Sequence, residues 1–253
     1  MAVKALVIAN WKMNPSTWRD AKRLLQATKR AAEKARRASV VVAPPAIYLR
    51  DLRDVYRGKR VQYGVQHAHF ETGGAETGEI SLSQAKDSGA SYAIVGHAER
   101  RSLGESNDDT RRKVAAALAL KMTPILCVGE KERKNDGEHF ALVREQLRAG
   151  FTDVAAPQLQ KVFVVYEPLW TIGKEKAMSP RDMHEMAIFI RKTIVDFKGE
   201  GGMKIKILYG GSIDAENAGD MLKLGDVQGF LVGRASQNPS SMSNLLQAIE
   251  AAV

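Results

Sequence analysis

Eight short apolar runs recur along the chain, and amphipathic segments separate them. The runs are rich in Val and Ile and have the length of strands that are buried on both faces of a sheet. They are KALVIAN (4–10), SVVVAP (39–44), RVQYGVQ (60–66), SYAIVG (91–96), TPILCVG (123–129), KVFVVYE (161–167), KIKILYG (204–210) and VQGFLVG (227–233). The intervening segments with a helical period include 18–37, 105–120, 138–149, 180–198, 214–223 and 240–252. This alternation predicts eight parallel strands joined by right-handed crossovers.

Two architectures fit this order, a closed (β/α)8 barrel and an open doubly wound sheet. The open sheet carries a glycine-rich phosphate-binding turn after an early strand, whereas the first run here ends in NWKMN (10–14). Glycines instead follow the seventh and eighth runs, where many barrels bind phosphate. No linker or break in composition divides the chain. We therefore predict an α/β fold, a single (β/α)8 barrel that spans residues 1–253 as one domain.

Charge and composition exclude several classes of partner. The formal net charge of +9 favours anionic ligands, but the excess of Lys and Arg falls on helical segments such as RDAKRLLQATKRAAEKARR (19–37), without interleaved aromatics. We therefore expect a solvated basic face and no nucleic-acid partner. The apolar runs are too short to cross a bilayer, and residues 1–8 lack the succession of regions that defines a signal peptide. No membrane partner is therefore expected. The single cysteine, Cys127, excludes an internal disulfide and favours a reducing cytoplasm.

Polar side chains stand where three of the apolar runs end. Asn10 and Lys12 follow the first run, His97 and Glu99 follow the fourth, and Glu167 ends the sixth. Each has an ordinary explanation when it is taken alone: a turn former, a surface lysine, a structural histidine, an ion pair or a solvated strand end. In a barrel, however, the carboxyl ends of all strands open on one face, and residues there are catalytic candidates. We expect these five residues to meet at one mouth.

Six motifs at these strand ends carry a resemblance to a known family. They are NWKMN (10–14), VGHAERR (95–101), CVGE (127–130), YEPLWTIG (166–173), YGGSI (209–213) and LVGRAS (231–236). They occur in the order seen in triosephosphate isomerases, and they run from the first strand to the eighth. Over essentially its whole length the chain therefore resembles the triosephosphate isomerase family.

The resemblance implies the interconversion of dihydroxyacetone phosphate and glyceraldehyde 3-phosphate in glycolysis and gluconeogenesis, without a metal or organic cofactor. It assigns Glu167 as the base that removes the proton next to the carbonyl, and His97 as a neutral imidazole that polarises the carbonyl. Lys12 would stabilise the negative charge, and Asn10 would add a hydrogen bond. Such donors must already be aimed at the oxygen on which an enediolate develops.

Supporting residues follow from the same resemblance. Glu99 is the expected partner that positions Lys12, and Cys127 is expected to support the site. Pro168 and Trp170 would form a stiff hinge, and residues 171–178 would form a lid. The alternative is an ordinary βα loop.

The resemblance also implies a phosphate site and an apolar cover. Gly173, Ser212 and Gly233 would present backbone N–H groups and a hydroxyl to the dianion, and Arg234 adds a candidate cation. The helix N-terminus that follows the eighth strand would add a favourable partial charge. Apolar cover from Ile172 and Leu231 would strengthen Glu167 as a base, because it penalises the charged form. Tight turns are the plainer explanation for the glycines.

The chain departs from the usual family pattern at several positions. Ala98 stands in place of a serine whose hydroxyl usually holds the base, so we expect a looser resting position for that carboxylate. Lys174 and Glu175 replace a small Thr-Gly pair in the lid, which changes its backbone freedom. Arg234 replaces a second glycine, and its side chain either contacts the phosphate or points to solvent. Gln237 stands where an apolar residue is common.

The segment QHAHFETGGAETGEIS (66–81) is long and polar for a βα loop. The resemblance implies that loop 67–81 reaches into a second subunit, where Thr77 supports Asn10 and Lys12 and where Glu79 pairs with Arg100 of that subunit. We therefore predict a homodimer.

Two other patterns do not predict ligands. His67 and His69 resemble a metal pair, but no further ligand is spaced to complete a site, so no metal is expected. The segment GGAETG (73–78) lies in an extended loop rather than at the start of a helix, so it does not predict a dinucleotide.

Three functions compete at this point. The first is a triose-phosphate isomerase, which acts on a small phosphorylated sugar. The second is an isomerase of a longer ketose phosphate, such as a tetrulose phosphate, that the altered lid admits. The third is a phosphate-binding barrel without catalysis. The presence of Asn10, Lys12, His97 and Glu167 together argues against the third.

Overall fold

A closed, all-parallel barrel forms the centre of the molecule. The computed structural model describes residues 4–133, 137–171 and 177–253. The strands are β1 (Ala5–Asn10), β2 (Ala38–Ala43), β3 (Val61–Val65), β4 (Tyr92–Val95), β5 (Thr123–Val128), β6 (Phe163–Tyr166), β7 (Lys206–Tyr209) and β8 (Gly229–Val232). Each strand pairs with the next in sequence, and β8 pairs with β1 to close the ring. The predicted (β/α)8 barrel is confirmed, and every predicted strand is present.

Helices surround the barrel. They are α1 (Trp18–Lys34), α2 (Ala46–Val55), α3 (Leu82–Asp87), α4 (Ala98–Ser102), α5 (Asn107–Ala119), α6 (Glu138–Phe151), α7 (Pro180–Lys198), α8 (Ala218–Leu224) and α9 (Pro239–Ala252). Short 3₁₀ turns occupy Ala156–Lys161, Leu169–Thr171, Glu200–Lys204 and Arg234–Gln237. The six helical segments named from the sequence are all present. Helices α2, α3 and α4 lie outside them, because five to ten residues display too little of a 3.6-residue period to stand out.

Two of the helix starts are capped by a polar side chain and carry a proline at the first helical position. The Ser179 side chain accepts from the Asp182 N–H, and Pro180 takes the first helical position of α7. Asn238 accepts from the N–H groups of the next helix, α9, which also begins with proline. These caps satisfy donors that a helix start otherwise leaves open. They fix where the long outer helices dock on the barrel.

The apolar side chains of the strands divide into two layers. Ile8 and Ile125 belong to a cluster in the barrel interior, which also contains Cys127. Their neighbours Val7 and Leu126 belong to the larger layer between barrel and helices. This alternation follows from the period of two along a strand, and burial on both faces explains the continuous apolar runs. The strand ends are thereby held in a rigid ring.

Candidate active site

The carboxyl ends of the strands open into a pocket of about 560 Å³. Among the residues that line it are Asn10, Lys12, His97, Glu167, Ser212 and Arg234. Five strands and the loops that follow them deliver these side chains from positions more than 200 residues apart in sequence. The structure therefore brings together the amide, the ammonium, the imidazole and the carboxylate that the sequence places at strand ends.

Lys12 has an unusual backbone conformation. Its φ is 53°, in the left-handed region that side chains with a Cβ seldom adopt. Its N–H donates to Asn10 Oδ1 at 3.0 Å, and its carbonyl accepts from Gln66 Nε2 at 2.8 Å. The ammonium Nζ lies 2.5 Å from Glu99 Oε1. These contacts hold the cation at the pocket in one orientation.

His97 caps the N-terminus of α4, and this fixes its ring. The ring atom Nδ1 accepts from the Glu99 N–H at 3.2 Å, so in the neutral imidazole the proton is on Nε2. Nε2 lies 3.1 Å from Glu167 Oε1. Both side chains are buried, with His97 7% and Glu167 2% exposed. The site thus contains an imidazole N–H donor and a carboxylate acceptor in direct contact.

The backbone of Glu167 continues the barrel sheet past the end of β6. Its N–H donates to Val128 O at 2.8 Å, as a further rung of the pairing with β5. A Cβ added to Gly129 would lie 1.9 Å from Glu167 O, and one added to Gly210 would lie 2.9 Å from Glu167 Cγ. Glycine is therefore required at Gly129, because the backbone of the neighbouring strand end passes too closely for any side chain.

The Glu167 carboxylate has a second donor in addition to His97. Oε2 accepts from the Ala98 N–H at 3.0 Å. Where the usual family pattern has a serine hydroxyl, this chain holds the carboxylate through a backbone amide. The looser resting position expected from Ala98 stays a prediction.

Cys127 lies beneath the carboxylate in the barrel interior. It is fully buried, and its thiol is directed at Ile125 O at 3.9 Å. Burial raises the pKa of the Cys127 thiol well above its ordinary value, and the neighbouring Glu167 carboxylate raises it further. The thiol is therefore a neutral packing group under the reacting carboxylate.

The residues expected to bind phosphate lie at the ends of β7 and β8. Ser212 Oγ donates to Thr171 O at 2.9 Å. Leu231 is buried and lines the pocket, as does Gly233 at the start of the 3₁₀ turn 234–237. Arg234 is exposed at the rim of the same pocket.

Part of the expected lid cannot be placed. Ile172, Gly173, Lys174 and Glu175 lie outside the described residues.

Four hydrogen-bonding residues at the site were not identified from the sequence. Gln66 also donates to Ala43 O at 2.8 Å and so ties the ends of β1 and β2 together. Ser236 Oγ contacts Asn10 O at 3.3 Å, and Gln237 Nε2 donates to Trp11 O at 3.2 Å. The last contact accounts for a polar residue at position 237. Gln66 stands at the end of an apolar run, so the strand-end rule that identified Asn10 would have found it.

The fourth of these residues, Glu130, lies at the base of the lid. Its Oε1 accepts from the Tyr166 hydroxyl at 2.6 Å and from Trp170 Nε1 at 2.9 Å. Burial raises the pKa of the Tyr166 hydroxyl, and the Glu130 carboxylate adds to this effect. The expected hinge residue Trp170 is therefore anchored to a buried carboxylate.

Glu105 anchors the loop that carries His97. It accepts from the Gly96 N–H at 2.7 Å and from Lys113 Nζ at 2.9 Å, and its side chain is 3% exposed. Burial opposes ionisation of this carboxyl, but hydrogen bonds from His67 and Lys113 outweigh it and lower the pKa to about 2. This buried ion pair fixes the loop against α5.

Residues 71–79 of loop 67–81 are exposed, and no residue of this loop lines the pocket. Thr77 is exposed, and the Glu79 carboxylate lies 2.9 Å from His67 Nε2. Arg100 Nη2 lies 3.2 Å from the same His67 nitrogen. Across the described residues, no group of three or more His, Cys, Asp or Glu side chains has the geometry of a metal site.

Comparison with known proteins gives the family. The family model described as triosephosphate isomerase matches residues 5–249. The chain belongs to the triosephosphate isomerase family. The triosephosphate isomerase of Endomicrobium trichonymphae is 38% identical over 96% of this chain and 98% of its own length. That of Aquifex aeolicus is 35% identical over 96% and 99%. The identification of the family from its six motifs is confirmed.

A solved structure agrees with this assignment. The crystal structure of triosephosphate isomerase from Bartonella henselae is 31% identical in sequence and has a TM-score of 0.85. The match covers 97% of this chain and 99% of that one. The family and the fold are therefore shared over nearly the full length.

Proposed function

We propose that the protein interconverts dihydroxyacetone phosphate and D-glyceraldehyde 3-phosphate by proton transfer through an enediolate. The observation that carries the proposal is the contact of His97 Nε2 with Glu167 Oε1 at 3.1 Å, in a pocket that Lys12 and Asn10 also line. This reaction needs an acid, a base and a cation close together, as at the carboxyl ends of these strands. Membership of the triosephosphate isomerase family supports it independently.

Glu167 is the proposed base. Its carboxylate accepts a hydrogen bond from the Ala98 N–H, lies 3.1 Å from His97 Nε2 and is almost fully buried, so water competes little for it. With substrate in the pocket, the carboxylate leaves the Ala98 amide and takes the proton from the carbon next to the carbonyl. It then returns that proton to the neighbouring carbon, which completes the isomerisation.

The negative charge that develops on the substrate oxygen makes the largest contribution to the activation free energy. His97 is proposed to donate its Nε2–H to this oxygen and to carry protons between the two oxygens of the enediolate. Its Nδ1 accepts from the Glu99 backbone N–H, so the Nε2–H of the neutral ring is the group that can donate to the substrate. Lys12 supplies a fixed positive charge, positioned by Glu99, and Asn10 supplies a neutral donor.

The phosphate is proposed to bind at the ends of β7 and β8. Ser212, Gly233 and Arg234 line the pocket there, and Gly233 presents no side chain that would keep a dianion away from its backbone. Ile172 and Gly173 are proposed to close over it from the lid.

We propose a homodimer formed through loop 67–81. Met13 directly follows Lys12 and is 92% exposed, and Ile47 in the first turn of α2 is 80% exposed. A second copy of the chain would bury this apolar surface, which favours association. Thr77, on the extended loop, is available to a second copy and is proposed to support Asn10 and Lys12 there.

We further propose that residues 1–253 form one domain that acts in the cytoplasm. The closed barrel supports one domain, and the unpaired Cys127 suits a reducing compartment. In the part of the chain that the structure describes, no helix combines the length and the apolar character needed to span a bilayer.

Coupled assays in both directions test the proposed reaction. We expect turnover of both triose phosphates without added metal, and little turnover of a tetrulose phosphate. Glu167→Asp withdraws the carboxylate by one methylene, and His97→Gln removes the imidazole, so each variant should lose at least about 100-fold in kcat. Wild-type protein that leaves both trioses unchanged would refute the function.

A further inference from the structure

The peptide unit that joins Trp11 to Lys12 is held at both of its polar atoms. Its N–H donates to Asn10 Oδ1 at 3.0 Å, and its carbonyl accepts from Gln237 Nε2 at 3.2 Å. Trp11 itself is fully buried, and its N–H pairs with Ala43 O at 3.1 Å. The orientation of the peptide plane before Lys12 therefore depends on two amide side chains, Asn10 and Gln237.

The orientation of this plane determines where the Lys12 side chain points. Because a peptide unit is rigid, a turn of the plane changes φ of Lys12 and moves its ammonium. That φ is 53°, in the left-handed region. A residue with a Cβ is disfavoured there by roughly as much as one hydrogen bond contributes to a fold. The loss of one hydrogen bond to this peptide unit is therefore enough to let Lys12 leave its conformation.

Gln237 belongs to the 3₁₀ turn 234–237, which follows the proposed phosphate contact Gly233. This part of the chain also lies against the Lys12 side chain, because a Cβ added to Gly233 would lie 3.4 Å from Lys12 Cε and 3.9 Å from Nζ. The residues that follow β8 therefore contact Lys12 twice, at its stem and at the carbonyl before it. A displacement of the turn is transmitted to the ammonium.

We propose that Gln237 is a positioning residue for Lys12 and that it couples the phosphate-binding turn to the lysine. Its amide holds the Trp11 carbonyl, and this keeps the ammonium aimed at the substrate oxygen on which charge develops. The apolar residue that is common at position 237 in the family has no such donor, so the coupling distinguishes this chain from the usual pattern. The consequence for turnover rests on the proposed function, whereas the support of Lys12 does not.

Gln237→Met tests the contact, because methionine keeps the length of the side chain and lacks the N–H donor. We expect kcat/KM for both triose phosphates to fall about tenfold. Gln237→Leu also lacks the donor and should show the same loss, so the test does not depend on the folding of one variant. Donor-free variants that stay within about twofold of wild type would overturn the proposal.

Gln228→Met is the matched control. Gln228 is half-buried like Gln237, and its Oε1 accepts from the Ile207 N–H at 2.8 Å. Ile207 lies near the start of β7, at the end of the barrel away from the pocket. The control therefore loses a hydrogen bond between a glutamine and the backbone, and its kcat/KM should stay within about twofold of wild type. An equal fall in both variants would indicate a general loss of structure and would also count against the proposal.

Calorimetry with glycerol 3-phosphate tests whether Gln237 acts through Lys12. This molecule has the phosphate and the three carbons of the substrate but no carbonyl, so it binds without reacting. Gln237→Met should raise its dissociation constant at least about threefold when Lys12 is present, and should add nothing in a Lys12→Met background. The same increase in both backgrounds would show that Gln237 acts independently of Lys12 and would overturn the proposal.

The two proposals fail separately. If wild type isomerises trioses and Gln237→Met is unimpaired, the function stands and the positioning role fails. If wild type never isomerises trioses but Gln237→Met weakens glycerol 3-phosphate binding only when Lys12 is present, the function fails and the positioning role stands.

Discussion

Gly129→Ala should reduce catalysis, because the added Cβ would displace Glu167. The added Cβ would lie 1.9 Å from Glu167 O, whereas real Cβ contacts stay beyond 3.0 Å. The two strand ends must therefore separate by about 1 Å. A misplacement of this size at a reacting group costs about 100-fold in rate, and overpacking destabilises the fold by about 1–3 kcal/mol.

Steady-state assays of the purified variant test this expectation. We expect kcat to fall about 100-fold, with KM little changed because the clash is between the ends of β5 and β6, whereas the proposed phosphate contacts Ser212 and Gly233 follow β7 and β8. Gly219→Ala is the matched control, because its Cβ would meet nothing closer than 3.7 Å and α8 should gain about 0.5–1 kcal/mol. A folded Gly129→Ala protein with kcat within about twofold of wild type would refute the reasoning.

Three further perturbations test other parts of the structure. Because the pKa of Glu105 is lowered to about 2, its ionised form stabilises the fold by about 3 kcal/mol above pH 4.5, and this stabilisation is lost as pH falls towards 2. Denaturant melts at several pH values should show this fall in the free energy of unfolding in wild type and not in Glu105→Gln. Ala98→Ser should shift the Glu167 carboxylate towards the new hydroxyl in a ligand-free crystal structure and change kcat by less than about tenfold; an unmoved carboxylate contradicts the role given to position 98. Met13→Glu should raise the dimer dissociation constant at least about tenfold in light scattering, and an unchanged mass at low concentration would exclude this face as the interface.

The architecture was readable from the sequence because strand burial on both faces leaves a clear apolar run. Each strand begins and ends within about two residues of its prediction. Helix α4 was not readable, since four of its five residues are polar and none is buried. What defines α4 is His97 as its cap, a contact between a ring nitrogen and a backbone N–H that no periodic pattern records.

The site was only partly predictable for a related reason. Asn10, Lys12, His97 and Glu167 stand at strand ends, where topology alone brings them together. Glu105 lies at the start of a predicted helical segment and not at the end of a strand. It accepts a hydrogen bond from the Gly96 N–H, and only the folded structure reveals this contact.

The pairing of the Glu167 N–H with Val128 O determines which motions the base can make. Its peptide unit is part of the sheet, so the carboxylate can travel only by rotation about its own side-chain bonds. Exposed side chains rotate in picoseconds to nanoseconds, but Glu167 is 2% exposed, and its rotation must break the contacts with the Ala98 N–H and His97 Nε2. Those two contacts, and not a shift of the strand, therefore determine how readily the carboxylate reorients.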